Sequence, residues 1–68
     1  MRIQQQNKLI TWIRLQRFCE LTGYTADAVY AKMKKGAWAE GLHWCKAPDG
    51  HIMVNVEAYD RWVEGIPV

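Results

Sequence analysis

The stretch Leu15–Gly36, LQRFCELTGYTADAVYAKMKKG, constrains this 68-residue chain more than any other. Its apolar residues Leu15, Phe18, Cys19 and Leu21 recur at the three- and four-residue steps of one buried helical face. Gly23 breaks that pattern where the chain must turn, and the hydroxyl of Thr25 can cap a following helix. In that second helix Ala26, Val29 and Met33 share a face, and Gly36 supplies the stop. A small residue (Cys19), a glycine four later and a β-branched residue six after that meet the steric demands of two helices crossing closely. The spacing is that of a helix-turn-helix, whose second helix normally enters the DNA major groove; an αα-hairpin inside a small helical domain satisfies the same pattern.

Charge separates along the chain. Residues 1–36 carry seven basic and two acidic side chains, and residues 37–68 two basic and five acidic ones, +5 against −3. The positive half contains the helix-turn-helix, as an electrostatic footprint for phosphate would, although a solvated charged face looks similar locally. The length expects one domain over residues 1–68, with residues 1–7 and their Gln4–Gln6 run as a loose lead-in. Half of the residues are apolar, which argues against disorder, and four tryptophans offset the small core that so short a chain can bury.

Lys8–Ile13, KLITWI, is rich in β-branched and aromatic residues and reads as a short strand needing a partner downstream. After Gly36 a connector, AWAEGLHW, brings Trp38 and Leu42 to cover the open side of the core. His43–Lys46 and His51–Val54 then flank Pro48-Asp49-Gly50, a hairpin turn in which proline sets φ, aspartate caps and glycine takes the left-handed position. One face of the second strand, Ile52 and Val54 or His51 and Met53, should be buried. Asn55 can cap a last helix with Val56, Tyr59, Trp62 and Val63 as its buried stripe, ended by Gly65 and Pro67. The order strand, helix, turn, helix, hairpin, helix describes an α+β winged helix: a helix-turn-helix, a β-hairpin wing, a C-terminal helix and a short N-terminal strand.

Projection at about 100° per residue turns Val29 and Met33 inward and Asp27, Ala31, Lys34 and Lys35 outward. The groove-facing set is therefore Thr25, Asp27, Tyr30, Ala31 and Lys34, with Asp27 able to accept from a cytosine amino group and Ala31 to touch a thymine methyl. Asp27 can equally serve the helix dipole, and Tyr30 can pack inward or on the wing. Arg14, Arg17, Lys32 and Lys35 form the phosphate set, against which stands favourable interaction of lysines with a helix C-terminus. On the wing, Lys46, Asp49, Gly50 and His51 form the tip, with Lys46 and His51 the contacts to minor groove or backbone; His51 can also be a cross-strand partner.

Other chemistries find little here. The chain has no serine and no phosphate-cradling glycine loop, and neither histidine sits in a nucleophile arrangement, so no enzyme is expected. Cys19, His43, Cys45 and His51 could be drawn as a zinc site, but they lack paired ligand spacing; neither metal nor cofactor is expected. Two cysteines make no disulfide framework. No apolar run approaches the ~20 residues of a membrane span and no signal peptide is visible, so the expectation is a cytoplasmic protein with no membrane partner. Tryptophans can stack unpaired bases, but Trp38 and Trp44 border the connector and hairpin and Trp62 lies in an apolar stripe, so a core role is preferred.

The run from Trp12 to Val63 resembles the small phage and prophage excisionases, which are related in fold to the DNA-binding domains of mercury-resistance-type regulators. The resemblance rests on the helix-turn-helix at Leu15–Lys35 and the connector Gly36-Ala-Trp38-x-x-Gly-x-His43-Trp44. The hairpin Pro48-Asp49-Gly50 with His51-Ile52 and the closing Tyr59-x-x-Trp62-Val63 complete it. It implies a sequence-specific double-stranded DNA-binding and DNA-bending accessory factor that favours integrase-mediated excision, with a phage integrase as a partner. Cooperative self-association on DNA is implied by the resemblance alone. Excisionases often carry a tail after the winged helix, whereas these residues end six after Trp62, so DNA architecture is expected to carry the function. A small phage-type transcriptional regulator would use the same residues, and a protein-interaction module would have no need of Lys34 and Lys35.

Overall fold

In the computed structural model, which describes residues 11–66, the elements follow the order β1 (Trp12–Arg14), α1 (Leu15–Thr22), α2 (Ala26–Lys34), β2 (Trp44–Lys46), β3 (Ile52–Asn55) and α3 (Val56–Val63). The expected lead-in, the start of the strand read at Lys8–Ile13, and Pro67 lie outside the described residues; the strand that is described reaches one residue further, to Arg14. The three strands form one antiparallel sheet in the order β1-β3-β2. The partner that the first strand required is thus β3, with Ile13 opposite Val54 and Trp12 opposite Asn55. On its other edge β3 pairs with β2, Trp44 opposite Val54, to make the wing. The result is a small α+β domain with winged-helix architecture.

The turns follow from their residues. Gly23 closes α1 at φ 86°, and its N–H donates to the Cys19 carbonyl at 2.8 Å. Two residues later the Thr25 hydroxyl accepts the Ala28 N–H at 3.1 Å and starts α2. Asn55 opens α3 in the same way, its Oδ1 accepting from Ala58 N–H at 3.0 Å. At the wing tip the Gly50 N–H donates to the Ala47 carbonyl and the Ala47 N–H to the His51 carbonyl, both at 2.8 Å. Gly50 takes φ 90° there, a value that a side chain would strain.

Phe18, Val29, Trp38 and Val54 are the buried centre, one from each of α1, α2, the connector and β3. Val29 is fully buried at the helix crossing, as its place in the helix-turn-helix demands, and Cys19 packs half-buried against the same core. Around Trp38 the rings of Phe18, Tyr24, Tyr59 and Trp62 stand edge-on at 5.2–5.9 Å, an aromatic lattice that compensates for the small number of aliphatic core residues.

Three core assignments need correction. Leu21 is 63% exposed. The buried stripe of α1 is centred between Phe18 and Cys19, and Leu21 falls roughly 110° from that centre at 100° per residue. Thr22 occupies the inner position instead, its hydroxyl donating to the Phe18 carbonyl at 2.8 Å. Val63 is likewise exposed, because the stripe of α3 runs through Ala58, Tyr59 and Trp62, and Ala58 is the buried member. In the connector Leu42 turns outward and His43 goes in. A tight turn at Ala39 causes this exchange, since both the Leu42 and His43 N–H groups donate to the Ala39 carbonyl.

Candidate nucleic-acid interface

The second helix of the pair presents the face that its projection required. Thr25, Asp27, Tyr30, Ala31, Lys34 and Lys35 are all exposed on or beside α2. Tyr30 resolves against a core role, at 48% exposed. Asp27 lies in the first turn, where its charge also favours the helix dipole, and Lys34 lies in the last.

Tyr30 is also where the helix meets the wing. A cleft of about 330 Å³ is lined by Arg14, Leu15, Gln16, Tyr30, Gly50, His51 and Ile52. It draws together members of all three predicted groups: Arg14 from the phosphate set, Tyr30 from the groove set, Gly50 and His51 from the wing. The start of α1 forms one wall. Its N-cap residue, Arg14, gives no side-chain hydrogen bond to the first turn, and that turn holds no acidic residue.

The wing tip is ordered by a local pair. Asp49 Oδ1 accepts the His51 N–H at 3.0 Å and lies 3.1 Å from His51 Nδ1. These two hydrogen bonds hold the Asp49 carboxyl below the ordinary carboxylate range, with a smaller contribution from the nearby positive charge of Arg14. The carboxylate is thereby occupied with the turn and with the His51 ring. Lys46 is exposed at the end of β2, on the strand leading to the tip.

Two members of the phosphate set stand differently. Arg17 is exposed but ion-paired with Glu20 at 3.0 Å on the same helix, a contact worth ~0–1 kcal/mol that a phosphate can replace. Lys32 is on the other side of α2. Its Nζ lies over the rings of Tyr24, Trp38 and Trp62, 5.3–5.7 Å from their centroids. The projection contained this signal: Lys32 falls only about 60° from Val29 around the helix, on the inner flank.

The four residues drawn as a zinc site are spread over α1, the connector, β2 and the wing tip, and no group of three or more metal-ligating side chains clusters among the described residues. His43 has its own structural task. Its Nδ1 accepts the Ala39 N–H at 2.9 Å, while Nε2 is buried without a partner. Burial pushes its pKa below the ordinary 6.5. No described helix is long and apolar enough to cross a membrane.

A three-stranded sheet whose hairpin stands beside an exposed second helix, with cations at the helix end and on the wing, defines the winged-helix class. Within that class the chain belongs to the family described as "Putative excisionase (DUF1233)", whose model matches residues 3–67. No curated protein and no solved structure matches it.

Proposed function

We propose that this protein is a sequence-specific double-stranded DNA-binding accessory factor that bends its site and promotes integrase-mediated prophage excision. The observation that carries the reading is the cleft joining Tyr30 of α2, the start of α1 and the wing tip, in a member of a family described as excisionases. In this reading Thr25, Asp27, Tyr30, Ala31 and Lys34 face the major groove, with the long side chain of Lys34 also reaching a flanking phosphate. Arg14, Arg17 and Lys35 take backbone phosphates, and the uncapped start of α1 is a favourable neighbour for one of them. Lys46 and His51 carry the wing to the adjacent backbone or minor groove.

Bending follows from gripping the duplex at two places. A recognition helix and a wing fixed to the same sheet set the directions of two DNA segments, and the duplex deforms to satisfy both. The chemistry of strand exchange belongs to the integrase; the accessory factor supplies geometry. A phage integrase is therefore the partner protein, and neighbouring copies of this chain on repeated sites are further partners.

The test is a gel shift with DNA from around the protein's own gene and the neighbouring integrase gene, repeated from ~50 to ~200 mM salt, with circularly permuted fragments to report the bend. Of the cations assigned here to DNA, the four that are free of a described ion pair, Arg14, Lys34, Lys35 and Lys46, set the expected slope of log K against log salt near −3.6, about a 150-fold loss over that range. Site-selective binding with a bend beside an attachment site is the expected result. The same binding confined to a promoter would assign the fold to a regulator, and failure to bind any duplex would refute both.

A further inference from the structure

We propose that Lys32 is a positioning residue of the recognition helix: its ammonium is clasped by three aromatic rings and takes no phosphate. This assignment rests on the DNA-binding reading of α2. The three rings come from three separate parts of the chain, Tyr24 from the helix-turn-helix turn, Trp38 from the connector and Trp62 from α3. Lys32 Nζ stands 5.6, 5.7 and 5.3 Å from their centroids, within the range over which a ring quadrupole attracts a cation. The rings hold one another in place, Trp38 meeting Tyr24 at 5.6 Å and Trp62 at 5.2 Å, both edge-on. The backbone ties the same point down, the Trp38 N–H donating to the Lys32 carbonyl at 3.3 Å.

The position matters because Val29 and Met33 anchor α2 on one side only, toward the core. Among the elements it packs chiefly on α1, while α3 packs on β3. The Lys32 clasp joins α2 to the connector and to α3 across the aromatic lattice, and so holds the helix at the rotation that buried Val29 sets. Tyr30 lies about 160° from Lys32 around the helix, so a lysine reaching phosphate on the DNA side would have to leave all three rings. The side chain is half-buried, unlike Lys34 and Lys35. Its stem also covers apolar ring surface, which a shorter residue would expose.

The experiment separates positioning from charge. Full-length Lys32→Met, which keeps the stem and removes the charge, is compared with Lys32→Arg and with Lys34→Ala. Without DNA, the ε-methylene protons of Lys32 in the wild type are expected well upfield of a free lysine, from the ring currents of the three aromatics. The amide resonances of α2 are expected to move in Lys32→Met and to return in Lys32→Arg. With DNA, Lys32→Met should weaken binding by about tenfold with no change in salt slope, and Lys32→Arg should lie within about twofold of the wild type. Lys34→Ala should instead lower the slope by about 0.9. A slope lowered by as much in Lys32→Met, ε-protons at free-lysine positions, or a Lys32→Met protein indistinguishable from the wild type would each overturn the assignment. If no duplex binds, the DNA-binding reading fails by itself, and the DNA-free spectra still decide the clasp.

Discussion

Trp38→Phe should be tolerated, whereas Trp38→Ala should nearly unfold the protein. Trp38 is 2% exposed and meets the rings of Phe18, Tyr24, Tyr59 and Trp62. Truncation to alanine removes the hub of that lattice, at ~3–5 kcal/mol for a buried aromatic. A chain of 68 residues has only about 3–10 kcal/mol to lose, at ~0.05–0.15 kcal/mol per residue. Phenylalanine is different, because the indole N–H of Trp38 is buried without a hydrogen-bond partner. Replacing the indole by a phenyl ring leaves a cavity of roughly 35–40 Å³, costing about 1 kcal/mol. It also removes an orphaned donor whose burial costs ~1–3 kcal/mol. The two effects nearly cancel, so Trp38→Phe should fall within about 1 kcal/mol of the wild type. Urea denaturation followed by circular dichroism measures both variants, with lower bounds accepted for alanine. A phenylalanine variant as unstable as the alanine one would refute the reasoning. It would mean that the N–H is satisfied in solution, or that the lattice demands the whole indole.

Two further outcomes are expected. Stability should fall with pH through His43: burial lowers its folded pKa below the ordinary 6.5, so the unfolded chain binds the extra proton first as pH drops. The loss begins near pH 6.5, proceeds with a slope of at most ~1.4 kcal/mol per pH unit, and stops below the folded value; above pH 6.5 the group contributes no pH dependence. Comparing urea midpoints of the wild type and His43→Gln between about pH 5 and 7 isolates it, and equal pH slopes for the two would count against a buried neutral imidazole. The caps should rank by burial: Asn55→Ala, at a half-buried site, should cost more than Thr25→Ala at an exposed one, each near ~1 kcal/mol or ~4–8 °C in Tm. Equal Tm values for Asn55→Ala and the wild type would show that α3 does not need its cap.

The local structure was legible because local chemistry decides it. Glycine at positive φ, a hydroxyl or amide at an N-cap, and Pro-Asp-Gly between two apolar runs each act over two to four residues, and Gly23, Thr25, Asn55 and Gly50 all stand where that chemistry requires. The outward face of α2 was legible for a related reason: one fully buried residue, Val29, sets the rotation of a helix whose period is known.

Tertiary structure decided what depends on distant parts of the chain. That Arg14, Tyr30 and His51 line one cleft follows from β1 pairing with β3, which brings the start of α1 beside the wing tip. Hydrophobicity alone also misjudged Leu21, Leu42 and Val63, whose burial depends on where the stripe of each helix and the turn at Ala39 place them. Lys32 is the sharpest instance. In sequence it is one of three lysines near the end of a helix, and charge alone assigns it to phosphate. Only folding brings Tyr24, Trp38 and Trp62 around its ammonium. A residue's charge is written in the chain, but what that charge faces is a property of the assembled core.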